Sequence, residues 1–239
     1  MRRMLNLQVA GGLLLLFLMV SGLPGGGKAA EPVTVWAGLP SEAEVALTFD
    51  DGPSPLYTPQ ILDLLAKYQA HATFFVLGCK VEKYPRLVKK MLRQGHEVGN
   101  HSYSHPRLTK TAQEVREKEL ETTRLDLDLL GCPQKHLLIR PPYSAFDDRL
   151  VSYAAHTGRQ IVLGSIDSGD WRGLGSRAIE KNVLSQVRNG SIIYFHDSDE
   201  KDQADRSPTV EALKTILPVL RHRGYKMVTI DEVMEENHH

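Results

Sequence analysis

Asp50 and Asp51 stand side by side in the hexapeptide TFDDGP, residues 48 to 53, at the end of the apolar run VALTF. Like charges repel, and successive side chains of a strand point to opposite faces, so the pair calls for a chemical reason. His101 and His105, in NHSYSH, are four residues apart, which brings two imidazoles to one side of a helical turn and suits a shared metal ion. One Asp with two His leaves a coordination position open for water, as catalytic zinc sites require. Where a strand ends and the chain turns at Gly52 and Pro53, one Asp can hold the cation while the other faces the water. The metal charge then offsets the repulsion between the two carboxylates. Further polar residues follow other apolar runs: Arg140, then Asp167 and Asp170, then His196 and Asp197.

These groups meet only if the fold brings the ends of several strands together. The runs VALTF, ATFFVL, HEVGN, LLIR, QIVLGS, SIIYF and KMVTI read as strands, with amphipathic helical patterns between them. Thr58 as cap and Pro59 as first-turn residue start one helix, Gly95 closes the next, and Thr111 with Glu114 forms a capping-box pattern ahead of a long helix ending at Gly131. Ser207 and Pro208 start another. Alternating strands and helices specify the α/β class, a parallel sheet of about seven strands with right-handed crossovers, and we expect barrel-like closure. Catalytic groups of such folds sit at the carboxyl ends of the strands, where the residues named above all fall.

The chain has 239 residues, 41% apolar and 24% charged, with a formal net charge of zero, as expected of a globular protein with a real core. No basic stripe interleaved with aromatics points to nucleic acid. Arg2 and Arg3, an apolar run over residues 9–23, and then Gly25, Gly26, Gly27, Ala29 and Ala30 follow the order of an export signal. Residues 1–30 are therefore expected to be a signal peptide or a retained membrane anchor. Residues 31–239 are expected to be one catalytic domain, exported to the extracellular or cell-wall side. Cys79 and Cys132 fall at opposite ends of such a sheet, so no disulfide between them is expected. His96 reads as a strand histidine with a structural hydrogen bond. The segment DSDEKDQADR, residues 197 to 206, reads as a solvated loop near the site.

TFDDGP, HSYSH, RPPY, DSGDW and FHD, in this order, resemble the five motifs of the polysaccharide deacetylases, the NodB-homology domain of carbohydrate esterase family four. The resemblance spans about residues 43 to 234. It implies a distorted (β/α) barrel and metal-dependent removal of acetyl groups from N-acetylglucosamine units of a glycan. By the resemblance, Asp51, His101 and His105 would hold the metal, zinc foremost, with cobalt, nickel or manganese also compatible. Asp50 would be the general base, oriented by Arg140. His196 would be the general acid, held by Asp170 with Asp167 assisting. Tyr143, Trp171 and Tyr194 would line the acetyl pocket, with the Tyr143 N–H helping to hold the oxyanion. Two positions depart from the motifs: Tyr194 stands where leucine is usual, and Ser144 where glycine is usual.

Within the same scaffold the rival is a hydrolase of small cyclic amides, against which the export signal argues. From another class, the rival is an inactive glycan-binding module, against which the intact Asp50, Asp51, His101, His105 and His196 argue. Peptidoglycan is favoured over chitin oligomers because of the expected location and the single small domain. Oligomeric state is not legible in the sequence.

Overall fold

The computed structural model describes residues 34–38, 43–132 and 137–234. The expected leader and the apolar run over residues 9–23 lie outside these, and among the described residues no helix is long and apolar enough to cross a membrane. Nine strands form: β1 (Thr34–Val35), β2 (Glu44–Gly52), β3 (Thr73–Val76), β4 (Glu97–Asn100), β5 (Leu137–Ile139), β6 (Arg159–Val162), β7 (Ile166–Asp167), β8 (Ser191–His196) and β9 (Lys226–Val228). The helices are α1 (Thr58–Lys67), α2 (Gly78–Lys83), α3 (Pro85–Arg93), α4 (Gln113–Leu129), α5 (Asp148–His156), α6 (Ser176–Leu184), α7 (Ser207–His222) and α8 (Ile230–Met234). The seven strands expected from the apolar runs are all present. The two additional ones, β1 and β7, have two residues each and so leave no periodic signal.

All strand pairs are parallel, in the order β1-β6-β5-β4-β3-β2-β8-β7, and β9 pairs with the first residues of β2. The sheet curls into a distorted α/β barrel. β2 is its axis and is buried at every position. Side chains alternate across it: Val45, Leu47 and Phe49 pack outward against α1 and α7, and Phe49 stacks between Phe74 and Phe195 at 5.1 and 5.6 Å. Ala46 joins Phe75, Leu138, Val162 and Ile192 on the inner face. By the same alternation Thr48 and Asp50 point into the barrel. The register sets Asp50 beside His196 of β8 and Phe75 of β3, so alignment of the core also aligns the chemistry.

Two helix starts differ from expectation. The α4 helix begins at Gln113 with Ala112 as its cap, because the Thr111 hydroxyl donates instead to the Leu108 carbonyl at 2.9 Å and closes the preceding turn. Thr58 is the first residue of α1 rather than its cap, and its hydroxyl donates to Asp197. No disulfide joins Cys79 and Cys132. His96 accepts the Ala72 N–H through Nδ1 at 3.2 Å, and burial holds it down at about 4.

Candidate active site

The adjacency of the two aspartates is resolved by a β-bulge. Asp50 pairs with Phe75 and Gly52 with Val76, so Asp51 is the extra residue on β2, with φ at 71°. A bulge re-aims one side chain, and both carboxylates reach the same end of the barrel although an unbroken strand would send them to opposite faces. Gly52 follows because nothing larger fits: a Cβ there would meet both carboxylate oxygens of Asp197 at 2.3 Å.

Asp51, His101 and His105 converge, with one candidate ligand atom from each lying within 4.8 Å of the others. The Asp51 Oδ1 atom is 3.3 Å from Nε2 of His101 and 3.2 Å from Nε2 of His105. That oxygen is buried without a hydrogen-bond partner among the described residues, which a cation would satisfy. Burial alone would raise the Asp51 pKa, but the neighbouring imidazoles of His101, His196 and His105 hold it well below the usual carboxylate range. Burial lowers His105, which favours the neutral, metal-ligating imidazole. The His101 Nδ1 faces the Arg140 carbonyl oxygen at 2.7 Å. A donor at Nδ1 leaves the Nε2 lone pair turned toward Asp51. An anionic carboxylate and two imidazoles with inward lone pairs fit a divalent cation.

The connection after β4 is shaped for this trio. Ser102 and His105 both have left-handed backbone, φ 69° and 65°, and the Ser102 hydroxyl accepts the His105 N–H at 3.1 Å. The Ser104 hydroxyl donates to Glu119 at 2.7 Å. Each serine is engaged with backbone or a helix carboxylate, and neither is paired with a base as a nucleophile would be.

Arg140 follows β5 and crosses the barrel interior, fully buried. Its Nη1 donates to Asp50 Oδ1 at 2.8 Å and to the Thr48 hydroxyl at 2.6 Å, and Thr48 in turn donates to the Ile193 carbonyl at 2.8 Å. The guanidinium lies between the rings of Phe75 and Tyr194, at 4.1 and 4.2 Å from their centroids. Such stacking suits a planar, weakly hydrated cation. Thr48 was not singled out in the sequence, although its spacing of two from Asp50 places it on the same strand face.

His196 and Asp170 form a dyad. The His196 Nδ1 lies 2.8 Å from Asp170 Oδ1, and Asp170 Oδ2 accepts the His196 N–H at 2.8 Å and the Thr209 hydroxyl at 2.9 Å. Burial works against the imidazolium, yet Asp170, with Asp50 and Asp51 adding to it, pushes the His196 pKa up to about 9. Burial likewise opposes the Asp170 anion, and the charge and hydrogen bond of His196 with the charge of Arg206 lower it. Asp167 is engaged elsewhere: it accepts from Gly169 N at 2.8 Å, Trp171 Nε1 at 3.2 Å and Arg172 Nη2 at 2.9 Å, and so fixes the turn that presents Trp171.

Trp171 and Tyr143 are 55% and 53% exposed, open walls rather than core rings. The Tyr143 ring flanks His105 at 4.7 Å between centroids. The two departures from the motifs touch each other: the Ser144 hydroxyl donates to the Tyr194 hydroxyl at 3.4 Å, and Ser144 has φ at 51°. A positive φ is where glycine is at ease, so the tyrosine supports a serine in a conformation its own Cβ disfavours. Asp197, read as a strand-end residue, is wholly buried beneath the paired aspartates. Burial raises it to about 7 against the opposing effects of the Thr58 hydrogen bond and Lys80.

A histidine–aspartate dyad, an arginine-held carboxylate and a metal-competent trio meet at one barrel rim, an arrangement suited to hydrolysis. The chain belongs to the polysaccharide deacetylase family: residues 38–162 match the family model of that description, and full-length relatives agree. A peptidoglycan-N-acetylglucosamine deacetylase of Bacillus cereus is 38% identical over 88% of this chain and 98% of its own length. A chitooligosaccharide deacetylase of Sinorhizobium fredii is 41% identical over 79% of this chain and 89% of its own. A solved peptidoglycan N-acetylglucosamine deacetylase, in complex with 4-naphthalen-1-yl-N-oxidanyl-benzamide, superposes with a TM-score of 0.79 at 35% identity, covering 84% of this chain and 92% of that one.

Proposed function

We propose that this chain removes N-acetyl groups from N-acetylglucosamine units of peptidoglycan, with chitin oligomers as the second substrate class. The observation that carries the reading is the placement of Asp50 on β2 directly beside His196 on β8, with the Asp51, His101 and His105 trio at the same strand ends. An amide carbonyl needs an activated water, a stabilised oxyanion and a proton for the departing nitrogen. Asp51, His101 and His105 would hold the cation, and the donor set favours zinc while also accepting cobalt, nickel or manganese. When bound, such a cation supplies Lewis-acid character that acidifies water and polarises a carbonyl.

The remaining work falls to the chain's own groups. Arg140 occupies Oδ1 of Asp50, which leaves Oδ2 to take a proton from the attacking water. Asp170 occupies Nδ1 of His196, so Nε2–H is the proton delivered to the leaving nitrogen. Water and amide become acetate and free amine, with the proton gained by Asp50 and the proton lost by His196 balancing over the cycle. Tyr143 and Trp171 flank the sugar. Peptidoglycan is favoured by the names of two of the relatives above and by the export-like leader. The leader also supports an extracellular or cell-wall location.

Acetate release from peptidoglycan and from chitin oligomers, before and after chelation and zinc restoration, tests the reading. Release abolished by chelator and restored by zinc is expected, faster on peptidoglycan. Absence of acetate from both polymers, with zinc bound, would refute it.

A further inference from the structure

The charged loop between β8 and α7 carries one residue that the chemistry above does not use and that faces a proposed ligand. Glu200 Oε2 lies 3.3 Å from Nδ1 of His105, whose Nε2 lies 3.2 Å from Asp51. A neutral imidazole carries a single N–H. If Nε2 offers its lone pair to a cation, the proton is on Nδ1; that nitrogen is buried with no hydrogen-bond partner among the described residues, and the Glu200 carboxylate stands 3.3 Å from it without yet meeting hydrogen-bond geometry. His101 is pinned through its own Nδ1 by the Arg140 carbonyl, whereas the Glu200 carboxylate is the acceptor that stands opposite the Nδ1 of His105.

Glu200 is 43% exposed on its side chain, and a surface glutamate held only by solvent would contribute little. Its loop is clamped instead. The Lys80 ammonium, 3% exposed, donates to Ser198 Oγ at 2.6 Å, to the Asp199 carbonyl at 2.5 Å and to Asp202 Oδ1 at 2.5 Å. Arg206 Nε donates to the Ser198 carbonyl at 2.8 Å, and Asp199 Oδ1 accepts the N–H groups of Gln203 and Ala204 at 2.7 and 2.9 Å. Glu200 thus sits between fixed neighbours, opposite an imidazole that Tyr143 flanks.

We propose that Glu200 is a positioning residue for the metal centre, accepting the Nδ1 proton of His105 and so fixing the tautomer and ring orientation in which Nε2 ligates. The inference rests on the reading of Asp51, His101 and His105 as ligands. Carboxylate partners of this kind typically change metal affinity by about 10- to 100-fold.

The test is zinc affinity, measured by competition with a chromogenic chelator, for wild type, Glu200→Ala, Asp205→Asn and Asp51→Ala. Glu200→Ala, which removes the acceptor, is expected to bind zinc about 10-fold more weakly. The deficit should persist from about 0.1 M to about 1 M salt, where free charges are screened beyond about 3 Å. Asp205→Asn removes the same charge from the same loop, where Asp205 serves Tyr57 and Ser207, and is expected to leave affinity unchanged. Equal affinity of Glu200→Ala and wild type, or a deficit that vanishes in high salt or is shared by Asp205→Asn, would overturn the positioning role. Wild type that binds no zinc, or Asp51→Ala that binds it as well as wild type, would overturn the ligand reading instead.

Discussion

Replacing Asp170 by asparagine keeps an acceptor for the His196 N–H and the Thr209 hydroxyl, removes one charge, and turns an amide NH2 toward the Nδ1 of His196 in place of the oxygen there. That charge is the main one raising the His196 pKa, from the ordinary 6.5 to about 9, while burial pulls the other way. Without it, His196 returns to the ordinary value or below. An acid must be protonated to act, so with the pKa back at 6.5 the loss of charge alone takes the active fraction at pH 8 from about 90% to about 3%, roughly 30-fold, but costs under about twofold at pH 6; the amide facing Nδ1 adds a further loss at both pH values. A bound cation lowers the pKa in both proteins by like-charge repulsion, so the diagnostic quantity is the separation of the two alkaline limbs, about two to three pH units. Acetate release measured as kcat/KM from about pH 5.5 to about 9.5 reports this directly. A loss no larger at pH 8 than at pH 6 would refute the argument, because Asp170 would then act through the orientation and tautomer of the imidazole and not through its charge.

The same charge pair bears on folding of the metal-free protein. His196 has a raised folded-state pKa, so its contribution to stability is fully present below about 6.5 and is lost as pH rises through about 9. Urea unfolding should show that loss in wild type and not in Asp170→Asn. Asp50→Asn should cost about 10²- to 10⁴-fold in turnover while zinc, measured by mass spectrometry of the dialysed protein, stays at wild-type stoichiometry. Gly52→Ala should destabilise by about 1–3 kcal/mol in denaturant titrations, since its Cβ would meet both Asp197 oxygens at 2.3 Å. Tyr194→Phe keeps the ring against Arg140 and loses the hydroxyl, whose link to Ser144 is weak. It should change kcat/KM by less than about threefold, within the worth of one long neutral hydrogen bond.

Strand ends were legible because parallel buried strands are short apolar runs and the residue after each run is polar. Asp50, Arg140 and His196 could be placed on one rim that way. The bulge at Asp51 was not legible: nothing local distinguishes an inserted residue from the next residue of a regular strand, and only the register against β3 reveals it. Thr58 and Thr111 carry cap chemistry in the sequence but give their hydroxyls to Asp197 and Leu108, a tertiary choice in the first case and a turn in the second. Glu200 was hidden among the charges of residues 197–206. What fixes that loop is the buried Lys80, more than a hundred residues earlier and indistinguishable in sequence from a surface lysine.

β2 stands at the centre of the sheet, yet its neighbour β8 lies far along the chain: the Thr48 hydroxyl reaches a carbonyl 145 residues away. Parallel pairings across such distances form slowly, because the intervening loop must be closed before any contact rewards it. Until β8 docks, the apolar β2 presents a bare edge, the kind of surface that recruits other chains. A fragment ending before Ser191 would keep Asp51, His101 and His105 but lack both the acid and the cover for that edge. Such a fragment is expected to aggregate more readily than the full chain, whose β8 covers that edge.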